Sequence, residues 1–504
     1  MNTSLAAVAA AMTISASALA PGTVRAADGD PASTTATSRS QAAEDFRWGA
    51  ASAAYQVEGA PSADGKGRSV WDHYLDDRSL AGPGVSGAVA INFYDRAQYL
   101  QDIALMKRLG INSYRFSISW PRILPDGQGP VNPAAIAHYR QFIADLKAAD
   151  IQPMLTLYHW DMPLALAEAG GWENRDSIAW FKRYAEVVFA NFSDQVDLYV
   201  LVNEPLVEFG MKHLAEQRMA GEPGVFAIVP DGPQLTRALT TFNHVMLASA
   251  AAKASFDAQG RQGRLGVALP LFPVLNAEGA TPDDQASAAL ADGVMNRWFL
   301  DAIYNGRYPE DVVAAARDKG ADTTSWAADA RTIGEAGFDY LGINFYSALY
   351  IRRPAQAPSG YAVEMFTPEG VYTALNGPVR PDQFKALFDR IRTDYGNPTI
   401  FVTENGAGFP NEDTLIDGAV VDTRRCRYIL DHVSAMQAAI RDGSDVQGYH
   451  VWSSHDNLEW LFGYGSRFGM IHVDFDTQVR TPKRSAEVYG RLIRGEAVTA
   501  ADCE

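Results

Sequence analysis

The chain has 504 residues, a formal net charge of −17, 47% hydrophobic residues and 20% charged ones. So apolar a composition excludes a largely disordered chain. The acidic balance, unrelieved by any Lys/Arg cluster, excludes nucleic acid as a partner.

At the N-terminus, residues 5–20 (LAAVAAAMTISASALA) form an uncharged apolar run, short for a membrane span and of the right length for the hydrophobic part of an export signal. Val24-Arg25-Ala26 supplies a small-residue cleavage site before Ala27, although Met1-Asn2-Thr3-Ser4 lacks the usual Lys or Arg. Residues 1–26 are therefore expected to be a signal peptide, and 27–44, rich in Ser, Thr, Ala and Asp, a flexible linker. The protein is expected to be exported, to the periplasm or beyond. No later run is long and apolar enough to predict a membrane span.

From Asp45 to about residue 500 the sequence reads as one catalytic domain in which short β-rich runs alternate with helical patterns. The strands expected are Phe46–Ala51, Asn112–Ser117, Gln152–Tyr158, Leu198–Asn203, Leu265–Leu269, Tyr340–Asn344, Thr399–Thr403 and Gly448–Trp452. Between them lie segments with apolar residues at helical spacing, such as 99–110, 136–150 and 178–192. This alternation predicts an α/β protein, a single (β/α)8 TIM barrel, with long βα loops at 79–90 and 219–234. Cys426 and Cys503 are too few for a disulfide framework or a zinc site. Cys426 reads as a packed free thiol in TRRCRYILDHV and Cys503 as part of a mobile terminus, so no disulfide is expected.

Several expected strands stay apolar until their C-terminal ends and then turn polar: TLYHWD, LVNEP, INFY, FVTENG and VWSSHDNLEW. In a TIM barrel those ends form the rim where active sites sit. Glu204 and Glu404 both end a strand, about three βα units apart at roughly 50–55 residues each. They can therefore face each other across the barrel mouth, as glycoside hydrolysis requires of its two carboxyls. A metal site is the rival reading, needing further ligands for which His159 and Asp161 are candidates.

At these residues the chain resembles the family-1 glycoside hydrolases. The resemblance is carried by YQVEGA (55–60), YRFSISWPRI (114–123), YHWDMP (158–163), GGWENR (170–175), NEP (203–205), INFY (343–346), TENG (403–406), DNLEW (456–460) and RFGM (467–470). It implies a retaining, exo-acting β-glycosidase, a β-glucosidase first of all, that uses no cofactor and no metal and takes a β-glycoside or short oligosaccharide. It further implies that Glu204 is the general acid/base and Glu404 the nucleophile, with Arg115 and Tyr346 supporting Glu404. Gln56, His159, Asn203, Tyr346, Glu459 and Trp460 would then hold the sugar, with Trp452 as a platform under its ring. Trp160 reads equally well as packing or contact. An ionised Glu459 would accept from two neighbouring hydroxyls and repel a sugar 6-phosphate.

The chain departs from the family's pattern at Leu201, usually Thr; at Leu206, usually aromatic; at Leu164, usually Gln; and at Ser454 and His455, where the family has Leu and then Leu or Met. Residues Val207–Val225 follow no recognised pattern. None of these touches a carboxyl. They leave open the aglycone and the choice among glucose, galactose and fucose, with a transglycosidase and a non-catalytic sugar-binding relative as the other readings.

Overall fold

The computed structural model describes residues 46–222, 230, 232–355 and 363–504. The expected signal peptide and linker, and part of the expected loop 219–234, lie outside them. Eight parallel strands close a barrel: β1 (Arg47–Ala51), β2 (Ser113–Ser117), β3 (Gln152–Tyr158), β4 (Leu198–Asn203), β5 (Arg264–Pro270), β6 (Tyr340–Phe345), β7 (Ile400–Asn405) and β8 (Val446–Trp452). Each pairs with its sequence neighbours, and β8 returns to β1 through the register Arg47↔Gly448 to Ala51↔Trp452. Because both faces of such strands are covered, they are buried along almost their whole length, which is why they read as short apolar runs rather than alternating ones.

The helices form the outer ring, principally α1 (Arg96–Leu109), α2 (Pro133–Ala148), α3 (Ser177–Phe192), α4 (Pro205–Met219), α5 (Gly232–Ala258), α6 (Trp326–Glu335), α7 (Pro381–Asp394), α8 (Thr423–Arg441) and α9 (Arg484–Ile493). Local chemistry sets their starts. Asp95 caps α1 by accepting from Ala97 N at 2.7 Å, and Asn132 caps α2 ahead of Pro133, whose missing N–H costs nothing in a first turn. After β8 the chain forms a separate hairpin, β9 (Ile471–Val473) and β10 (Arg480–Pro482), whose Ile471 bridges to His455 just beyond the strand carrying Trp452. Among the described residues no helix is long and apolar enough to cross a membrane.

One expectation is corrected. Cys426 and Cys503 form a disulfide, with their Cα atoms 5.6 Å apart. The terminus is not loose: Ala500–Cys503 form a 3₁₀ turn, Thr423 Oγ1 donates to Cys503 O at 2.9 Å, and Arg491 Nη1 donates to Asp502 Oδ1 at 2.7 Å. The fold brings the end of the chain back to the first turn of α8, a juxtaposition that a sequence separation of 77 does not disclose.

Candidate active site

The barrel delivers the polar strand ends to one rim. β4 ends in Asn203, and Glu204 follows with φ +46°, a left-handed conformation that costs a non-glycine residue on the order of 1–3 kcal/mol. Pro205 then opens α4. The turn swings the Glu204 side chain off the strand direction and over the barrel mouth. Trp160 and Trp460 share this backbone region, at φ +75° and +47°. On β7, Glu404 is followed by Asn405 and Gly406. A Cβ on Gly406 would lie 1.8 Å from Trp452 O, so only glycine lets the two strand ends meet there.

Arg115, fully buried on β2, organises the centre. Its Nη1 donates to Glu404 Oε1 at 2.6 Å and to Thr403 O at 3.1 Å, its Nη2 to Asn203 Oδ1 at 2.6 Å, and its Nε to Thr156 Oγ1 at 3.1 Å. Tyr346 donates its hydroxyl to the other carboxylate oxygen, Glu404 Oε2, at 2.5 Å. Glu404 thus has a cation on one oxygen and a hydroxyl on the other. Asn344, which the sequence reading did not single out, donates to Glu204 Oε1 at 2.8 Å and to Asn203 Oδ1 at 3.0 Å, while its own oxygen accepts from Thr403 Oγ1 at 2.6 Å. A polar residue inside the otherwise apolar strand of INFY was the available signal for it.

These contacts separate the two carboxyls electrically. Burial and the negative charge of Glu404 push the Glu204 carboxyl well above the ordinary range, against the Asn344 hydrogen bond and Arg115. Burial also raises Glu404, but Arg115, Tyr346 and Asn344 all counter it. Of the pair, Glu204 keeps the proton and Glu404 carries the charge.

The other expected residues are linked to the same centre by hydrogen bonds and ring contacts. Asn203 Nδ2 lies 3.0 Å from His159 Nε2. Burial, with Arg115 nearby, holds the His159 ring well below the usual histidine range, so it is neutral. Its Nε2 then accepts from Asn203 and its Nδ1 carries a hydrogen that meets no partner. Gln56 donates through Nε2 to Leu458 O at 2.7 Å, to Asn457 Oδ1 at 3.0 Å and, weakly, to Glu459 Oε2 at 3.5 Å, leaving its buried Oε1 unpaired. Trp452 faces His159 at 5.7 Å between ring centroids and is followed by a cis peptide to Ser453. Trp460 is 2% exposed, enclosed by Trp71 at 4.5 Å and Trp160 at 4.7 Å. Trp160 donates Nε1 to Asn203 O at 2.8 Å, so it holds Asn203 from behind.

One sequence reading changes here. Burial and the charge of Glu404, opposed by Gln56, push Glu459 up to about 8, above the range of the ordinary ionised carboxylate that the sequence suggests. Asp161 is buried, and that burial, opposed by Ser119 and Lys66, raises its carboxyl well above the ordinary range. Among the described residues no three His, Cys, Asp or Glu side chains are grouped to hold a metal.

Glu208, one helical turn beyond Glu204, was also not foreseen. It is a carboxyl pushed up to about 8 by burial, bonded by the Tyr158 hydroxyl.

Residues 38–497 match the family model described as Glycosyl hydrolase family 1. The chain is 58% identical over 462 residues to Beta-glucosidase A of Enterobacter agglomerans, covering 92% of this chain and 96% of that one. A solved family 1 β-glucosidase from Thermotoga maritima superposes with a TM-score of 0.82 at 33% identity, covering 90% of this chain and 99% of that one. The same Thermotoga maritima enzyme in complex with glucoimidazole gives 0.81 at 33% identity, with the same coverage.

Proposed function

The chain belongs to glycosyl hydrolase family 1, and from that footing we propose that Glu204 and Glu404 are the acid/base and the nucleophile of its reaction. The enzyme is a retaining β-glucosidase, of the kind its relative in Enterobacter agglomerans is named for. The observation that carries the assignment of roles is the asymmetry of the two carboxyls. Glu404 is held by Arg115 at 2.6 Å and Tyr346 at 2.5 Å, whereas Glu204 has the neutral amide of Asn344 at 2.8 Å.

In the first step the ionised Glu404 attacks the anomeric carbon while Glu204 gives its proton to the departing glycosidic oxygen. A glycosyl ester on Glu404 forms and the alcohol leaves. The ester has lost the Glu404 charge that helped to hold the proton on Glu204. Glu204 then emerges as a carboxylate able to take a proton from water, which attacks the same carbon and frees Glu404. Two inversions at one carbon give net retention.

The neutral His159 Nδ1–H and the Gln56 Oε1 are an unused donor and an unused acceptor buried in the pocket wall, a match for ring hydroxyls. Asn203, beside the acid/base, reaches toward the hydroxyl next to the reacting carbon, and the Trp452 indole offers an apolar face to the ring. The glucoimidazole complex of the Thermotoga maritima enzyme supports a glucose-shaped pocket. The test is a panel of p-nitrophenyl β- and α-glycosides with the first-formed anomer read by NMR. β-Glucoside turnover with β-glucose released first is expected; inactivity on every β-glycoside, or α-glucose first, overturns the reading. Product ratio at high acceptor concentration separates hydrolysis from transglycosylation.

Export is proposed alongside. It is supported by the apolar run 5–20 and by the Cys426–Cys503 disulfide, since such bonds persist in oxidising compartments. N-terminal sequencing of the native protein should begin near Ala27; full-length protein in the cytosol contradicts it.

A further inference from the structure

His455 departs from the family's usual Leu or Met, and it is fully buried behind the sugar pocket rather than in it. Its ring sits between two polar groups. Nδ1 lies 3.0 Å from Ser454 Oγ, and Nε2 lies 3.2 Å from Asp102 Oδ1, at ion-pair distance although off the line of a good hydrogen bond. Asp102, on α1, also accepts from Arg480 Nε at 3.1 Å, and Arg480 stands on the β10 strand of the hairpin. Ser454 Oγ continues inward to the Tyr114 hydroxyl at 3.3 Å, and Tyr114 donates to Ser52 Oγ at 2.7 Å. The ring is therefore fixed from the helix layer on one side and from β1 and β2 on the other.

The peptide of the same residue is the junction of the turn that follows β8. His455 O accepts from Ser453 Oγ at 2.8 Å and from Asn457 Nδ2 at 2.9 Å. Asn457 Oδ1 then accepts from Gln56 Nε2 at 3.0 Å, and Gln56 is the residue that reaches Glu459. The backbone closes the same link, because Leu458 N donates to Gln56 O at 3.3 Å. The N–H of the same peptide, Asp456 N, donates to Ile471 O at 2.9 Å, so ring and peptide are held together; the oxygen takes Asn457, and Asn457 orients the Gln56 amide, whose buried Oε1 is left unpaired.

We propose that His455, held by Asp102 and Arg480, is a positioning residue that sets the orientation of Gln56 and Glu459 and so tunes recognition of the sugar. The proposal rests on the β-glucosidase reading and deepens it. Its geometry makes a specific demand: the effect of His455 must travel through Gln56.

A double-mutant cycle on kcat/KM for a β-glucoside tests this, using His455→Leu, Gln56→Ala and the pair. His455→Leu is expected to lower kcat/KM about tenfold, with KM rising more than kcat falls. In the Gln56→Ala background the same change is expected to cost less than about twofold. A merely structural histidine lowers the melting temperature in both backgrounds and gives losses that multiply; losses that multiply, or an unaffected kcat/KM, overturn the proposal. Should His455→Leu fail to fold, Asp102→Asn, which keeps the size of the side chain and removes the charge facing the ring, must show the same dependence on Gln56. A wild type inactive on all β-glucosides overturns the glucosidase reading itself, whereas an active wild type with multiplying losses overturns only the role of His455.

Discussion

The side-chain amide of Asn344 donates to Glu204 Oε1 at 2.8 Å while its carbonyl takes the Thr403 hydroxyl at 2.6 Å, which binds the end of β6 to the residue after β4 and to the residue before Glu404. The amide favours the charged form of Glu204 and also helps to lower Glu404. The rate needs Glu404 ionised and Glu204 protonated, so activity is lost below the first pKa and above the second. In Asn344→Ala both carboxyls lose a partner of their anionic form and both pKa values rise. The whole bell of kcat/KM against pH should therefore move to higher pH. An unmoved or downward-shifted bell contradicts the assignment of these two groups.

Tyr346→Phe removes the hydroxyl from Glu404 Oε2 and leaves Arg115 on Oε1. A hydrogen bond to a charged group is worth about 1.5–3 kcal/mol. Part of that should appear as a fall of roughly 10–100-fold in kcat, because an ill-held nucleophile attacks poorly. The acid limb alone should rise, since Glu404 loses a group that keeps it ionised. Kinetics at several pH values read both, and a changed alkaline limb with an unchanged acid limb contradicts the role given to Tyr346.

Away from the pocket, Lys483 is fully buried and donates to Asp413 and, at 2.7 Å, to Asp456 Oδ1. Asp456 sits in the turn between Trp452 and Glu459 and also takes Arg467 Nη1 at 2.6 Å. Replacing Lys483 by Met strips one cation from buried carboxylates, a change that typically costs about 3–5 kcal/mol. A melting temperature lower by several degrees is expected, with activity loss tracking unfolding. An unchanged melting curve would remove this cluster from the account of stability.

The Cys426–Cys503 bond closes a loop with a sequence separation of 77. A cross-link over such a loop stabilises by on the order of 2–4 kcal/mol, mainly by restricting the unfolded chain. Cys503→Ser should lower the melting temperature by a few degrees with kcat and KM unchanged, since the bond is buried against Val488 between α8, α9 and the terminal turn. Free thiols found by mass mapping of the native protein would remove the bond from the account.

The barrel was legible because strands covered on both faces leave a strong signal, a short apolar run that turns polar at one end. Observed and expected strand limits differ by two residues at most. Glu204 and Glu404 stood out by the same signal. Asn344 carried it too, inside INFY, but a single strand does not reveal that its amide reaches across to β4. The left-handed backbone of Glu204 has no local mark at all, because the surrounding turn imposes it. Neither does the disulfide, which depends on where the end of the chain comes to rest. Glu459 was read from DNLEW as an ionised acceptor of sugar hydroxyls, whereas the raising of its carboxyl by burial and by Glu404 is a property of the assembled site.

The central claim is that Glu404 forms a covalent bond to the sugar. A 2-deoxy-2-fluoro-β-glucoside with a good leaving group slows both steps, because the fluorine disfavours positive charge at the anomeric centre, but the leaving group lets the first proceed. The enzyme should lose activity with time, gain the mass of one fluoroglucosyl unit, and yield after digestion a labelled peptide containing TENG with the sugar on Glu404. Label on another residue, or turnover of β-glucosides with inversion and no label, would contradict it.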